Sequence, residues 1–81
     1  MAEFPIRVPK VSMAIHEAIL LEPCVDDGQK VEEGAPLFLI ETEKVETEIS
    51  SAATGVVHWT AAFGETYAVG TQVGFIETDD D

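Results

Sequence analysis

Lys44 stands between Glu41, Glu43, Glu46 and Glu48 in the stretch "IETEKVETEI", residues 40–49, of an 81-residue chain with four basic and sixteen acidic residues. An amine so placed has two uses. It can be an ordinary solvated charge, or a nucleophile presented for covalent modification by a separate enzyme, which requires a group that projects from a rigid base into open space. Surrounding carboxylates favour the protonated amine, so a modifying enzyme has to remove the proton itself. The other chemistry the residues could support is thinner. An acid and base pair drawn from the carboxylates needs a cleft that separates two environments, and a chain this short folded around a filled interior has little room for one. Cys24 is alone, which excludes an internal disulfide and a cysteine metal cluster, fits a reducing compartment and reads as a small packed hydrophobe. His58 and Trp59 read as strand residues with no other metal-type ligand beside them, so no metal site is expected.

The elements that must position Lys44 follow from alternation. Val45, Thr47 and Ile49 face one way and Glu46 and Glu48 the other, the period of a half-buried strand. Ile40 and Thr42 oppose Glu41 and Glu43 in the same manner. A chain reversal with an even-numbered loop centred on Glu43 and Lys44 sets Thr42 against Val45, Glu41 against Glu46 and Ile40 against Thr47, so every pair agrees about inside and outside. Lys44 is then at a hairpin tip. Because this hairpin has no Asn-Gly or Asp-Gly at its tip to ease a tight primed turn, an open four-residue type I loop is the expectation. Glu41 opposite Glu46 is a like-charge pair, which costs a few tenths of a kcal/mol.

The remaining apolar residues fall in short groups punctuated by Pro9, Gly28, Gly34, Gly64 and Gly70, a pattern of short strands and turns. Residues 11–20 read as a loop followed by a strand. A shift of 36 positions lays Gly28 on Gly64, Gly34 on Gly70, and Ile40-Glu41-Thr42 on Ile76-Glu77-Thr78. Two similar halves, about 5–43 and 45–79, predict an all-β fold with an internal pseudo-twofold: a flattened barrel or sandwich of two four-stranded antiparallel sheets, as a single domain over residues 1–81. A formal charge of -12 opposes contact with nucleic acid or an anionic membrane surface and suits basic partner surfaces. No apolar run reaches the roughly twenty residues that span a bilayer.

The chain resembles the lipoyl domains of the biotinyl/lipoyl attachment family, the carrier modules of 2-oxo acid dehydrogenase acyltransferases. "VPKVSMAIHEAILLE" is similar to the family's first strand and loop, "DDGQKVEEGAPL" to its "EGDxVxxGDxL", "IETEKV" to its Glu-Thr-Asp-Lys-Ala attachment segment, and "SSAATGVV" to its "SPxAGxV". Departures are Val45 for the common alanine, Glu46 for a small or neutral residue, and Ser51 for proline. Biotin carriers share the fold but flank their lysine with methionines, so Glu43 and Val45 favour lipoate.

The resemblance implies lipoic acid held as an amide on Lys44, with no catalytic residue in the domain itself. It implies as partners a lipoate ligase or lipoyl transferase, a thiamine-dependent decarboxylase, an acyltransferase core and dihydrolipoamide dehydrogenase. Partner recognition would use Glu41, Glu43, Val45 and Glu46 together with Met13, His16 and Glu17 of the loop spanning 11–17. The isolated domain would be a monomer, in the bacterial cytoplasm or the mitochondrial matrix. The family's Ala/Pro-rich linker is not among the 81 residues, which fits a piece of a longer acyltransferase chain or a free-standing carrier. The alternatives are a biotin carrier, an unmodified acidic β interaction module and, more distantly, the longer glycine-cleavage carrier.

Overall fold

The alternating segments form eight strands in the computed structural model, which describes residues 2–11, 13–43 and 45–78. In chain order they are β1 (Ala2–Arg7), β2 (Glu17–Pro23), β3 (Lys30–Val31), β4 (Pro36–Thr42), β5 (Val45–Ser50), β6 (Gly55–Trp59), β7 (Thr66–Ala68) and β8 (Gln72–Thr78). No helix interrupts them among the described residues. They make two four-stranded antiparallel sheets with strand orders β1-β8-β6-β3 and β5-β4-β2-β7. The first four strands correspond to the last four, and that substitution turns one sheet order into the other. Each sheet is therefore assembled from both halves of the chain, and neither half buries its apolar face without its counterpart.

The correspondence extends to single residues. In one sheet Thr42 lies opposite Val45, Ile40 opposite Thr47 and Phe38 opposite Ile49, with a bulge beyond Phe38. In the other Thr78 lies opposite Ala2, Ile76 opposite Phe4 and Gly74 opposite Ile6, with a bulge beyond Ile6. Backbone hydrogen bonds repeat in the same way: Gly34 N–H donates to Ser51 and Ser51 N–H to Ala35, while Gly70 N–H donates to Val8 and Val8 N–H to Thr71. Gly34 and Gly70 take φ of 91° and 93°, a region where a side chain is strained, which is why the tight turns before β4 and β8 each have glycine.

Between the sheets lies one contiguous apolar cluster centred on Leu20, Phe38, Ile40, Val57, Val73 and Ile76. Fully burying side chains of this size stabilises the fold by about 1.5–3 kcal/mol each. Trp59 closes one end, edge-on to Phe38 at 5.8 Å and to Phe63 at 5.1 Å, with its indole N–H donating to the Val25 carbonyl at 2.8 Å. Of the two shapes expected, the molecule is the sandwich: its sheets are not closed into a barrel. The edges stay open but blunted, β1 by Pro5, β5 by Glu46 and Glu48, and β3 and β7 by spanning only two and three residues.

Cys24 departs from expectation. It follows the end of β2 and is exposed instead of packed, because Pro23 ends the strand at the rim. Partial desolvation, then the carboxylates of Glu48 and Glu22, push its thiol above the usual range. Such a thiol is a poor nucleophile near neutral pH.

Candidate functional site

The reversal between β4 and β5 is tighter than the sequence suggests. Thr42 pairs with Val45, Glu41 with Glu46 and Ile40 with Thr47, the register that alternation requires. Only two residues separate Thr42 from Val45, so the expected four-residue type I loop is not formed. Glu43, the first of the two, has φ 45°. Positive φ at this position is the mark of the primed turns, whose twist matches that of the flanking strands, whereas a type I turn would splay them. The strand register, held by burial of Ile40 and Phe38, limits the link to two residues, and within it Glu43 adopts the left-handed conformation at a cost of about 1 kcal/mol. Lys44, the second of the two, lies outside the described residues.

Glu43, Val45 and Glu46 are exposed, and Glu41 is half-buried. Val45 continues the inward-facing row of Thr47 and Ile49, yet it is 60% exposed because the row runs off the end of the sandwich. The sheet that bears the turn has Glu17, Glu22, Glu41, Glu46 and Glu48 on its strands and no arginine or lysine on any of them. The opposite sheet has Arg7 and Lys30. Among the described residues the single ion pair is also on that opposite sheet, His58 Nε2 to Glu77 Oε1 at 3.6 Å, with His58 stacked on Phe75 at 4.9 Å. No group of three His, Cys, Asp or Glu among the described residues is placed to hold a metal.

The loop before β2 lies against the turn. A groove of about 390 Å³ is lined by His16 and Glu17 from the loop side and by Glu41, Thr42 and Glu43 from the hairpin, which brings together four of the residues expected to act in recognition. On the other side of the hairpin a second groove, about 280 Å³, lies between Val11, Ile15, Thr42, Glu43, Val45 and Thr47. Met13 lines neither and is 88% exposed. Of the four large apolar side chains that stand exposed among the described residues, Val11, Met13 and Val45 belong to this end of the molecule. The arrangement presents the strained Glu43 between two grooves, one lined by three glutamates and the other by three apolar side chains, two threonines and Glu43 itself.

One feature of this end is not legible in the residues. Val8 and Ser51 occupy equivalent positions by their hydrogen bonds to Thr71 and Ala35, and Leu20 and Val57 by theirs to Glu65 and Gln29. Leu20 follows Val8 by twelve positions, whereas Val57 follows Ser51 by six. The first half thus spends six more residues than the fold needs to make the same connection, and the excess falls in the loop beside Glu43. The 36-residue shift gives no hint of it, because the shift aligns only residues downstream of Gly28.

Residues 5–76 match the family model described as "Biotin-requiring enzyme", the model of biotinyl and lipoyl attachment domains. No curated protein matches the chain.

Proposed function

The chain belongs to the biotinyl/lipoyl attachment family, whose domains are covalently modified carriers, and from that premise we propose that it is a lipoyl carrier domain with lipoate joined as an amide to Lys44. The observation that supports this reading best is the pairing of Thr42 with Val45, which leaves only two sequence positions, 43 and 44, between β4 and β5, with Glu43 and Val45 on either side exposed. The flanks fit the group. Glu43 and Val45 leave access from both sides, and neither is the methionine that flanks a biotinylated lysine. Bound there, the group supplies a dithiolane that takes up acyl groups and electrons from one partner and delivers them to another.

Everything else is done by the protein's own residues. The two sheets hold the turn rigid, so the motion needed to visit several partners is left to the arm, and tethering replaces diffusion by a high effective concentration. Glu41, Glu43 and Glu46 offer partners an acidic collar, with His16 and Glu17 across the groove. A complementary basic surface on the thiamine-dependent decarboxylase, the acyltransferase core, dihydrolipoamide dehydrogenase or the ligase would be steered toward this sheet. Amide formation removes the charge of Lys44, which makes a chain of formal charge -12 more acidic still.

The family description names biotin, so a biotin carrier is the second reading. Parallel reactions discriminate the two: one with a lipoate ligase, lipoate and ATP, the other with a biotin ligase, biotin and ATP. Uptake of lipoate alone, abolished by Lys44→Arg, is the expected result. Uptake of biotin alone overturns the lipoyl reading, and uptake of neither overturns the carrier reading.

A further inference from the structure

Ile15 is buried, with 6% of its surface exposed, yet it is not part of the contiguous cluster that fills the sandwich. It lies at the hairpin end of the molecule. Ile15, Thr42 and Glu43 are the three residues that line both grooves, so the two depressions meet at this residue and the end of β4. It also belongs to the connection between Val8 and Leu20 that is six residues longer than its twofold equivalent. A loop that the fold does not need thus has one buried apolar residue lining the same two grooves as the residue whose backbone is strained. Backbone strain of this kind persists only where the surroundings over-determine it.

We propose that Ile15 is a positioning residue, which locks the extra loop segment to the left-handed Glu43 so that a modifying or acyl-donating partner meets loop and turn as one rigid surface. Val11 and Met13, both exposed, are then held in fixed relation to Val45, and His16 and Glu17 to Glu41. A satellite contact under a long loop can be weakened without dissolving the main core. That separates a positioning role from a structural one. The functional half of the proposal rests on the carrier reading above, whereas the structural half stands without it.

The test uses the full chain, isotopically labelled, as wild type, Ile15→Ala and Ile15→Val. Three quantities are measured: the intra-residue amide to Hα Overhauser effect of Glu43, which is strong in the left-handed conformation; KM and kcat of a lipoate ligase with the domain as acceptor; and the urea unfolding curve. Ile15→Ala is expected to keep a cooperative transition, to weaken the Glu43 effect and to raise KM about ten-fold with kcat little changed. Ile15→Val is expected to restore both. The proposal is overturned if Ile15→Ala leaves the Glu43 signal and KM as in wild type. It is equally overturned if Ile15→Ala abolishes the fold, since Ile15 would then be a core residue. Should wild type accept no lipoate, the carrier reading fails on its own, and the Glu43 signal in the two variants still decides the role of Ile15.

Discussion

At the scale of single residues, the informative one is Glu43. Nothing in its side chain favours φ 45°, and the segment 40–49, with no Asn-Gly or Asp-Gly at its reversal, pointed to a longer loop. The pairing of Thr42 with Val45 leaves no room for one. Glu43→Asn tests that the conformation is imposed: asparagine tolerates the left-handed region better, so stability should rise by about 0.5 kcal/mol. The change would appear as a higher urea midpoint with an unchanged m-value. A lower midpoint would show that the glutamate side chain makes a contact that outweighs the strain. Cys24 illustrates the opposite limit of reading residues singly. Its composition suggests a packed hydrophobe, but Pro23 stops the strand before it and leaves it at the rim.

At the scale of elements, the alternation of β4 and β5 made register legible, because a slip of one position would turn Ile40 and Phe38 out of the core. The six extra residues before Leu20 were not legible, since a loop's length shows as an excess only when its structural twin is known. Two substitutions probe the sheets. Glu46→Lys relieves the like-charge pair with Glu41 and should stabilise by about 0.5 kcal/mol at low salt, a gain that 1 M salt largely removes. A gain that survives high salt would point to packing and not charge. On the other sheet, a Cβ at Gly74 would lie 2.5 Å from the His58 carbonyl oxygen and 3.0 Å from the Trp59 ring. Gly74→Ala should therefore cost about 2 kcal/mol, visible as a fall in the urea midpoint. An unchanged midpoint would mean that β6 and β8 yield more easily than their pairing suggests.

At the scale of the whole molecule, the pseudo-twofold separates what the fold needs from what it does not. Both ends close the sandwich with the same register, Thr42 on Val45 at one and Thr78 on Ala2 at the other. The first has the strained reversal, the lengthened loop, the two grooves and most of the exposed apolar side chains. Asymmetry imposed on a symmetric frame is the physical basis for placing function at that end. It accords with membership in a family of covalently modified carriers and with the absence of lysine and arginine from the strands of the sheet at that end. The most direct test is peptide mapping by mass spectrometry of the protein isolated from cells supplied with lipoate. The account predicts a single lipoyl adduct on the peptide that contains Lys44, and none on peptides bearing Lys10 or Lys30. Unmodified Lys44 in such protein, or an adduct on another residue, would contradict it.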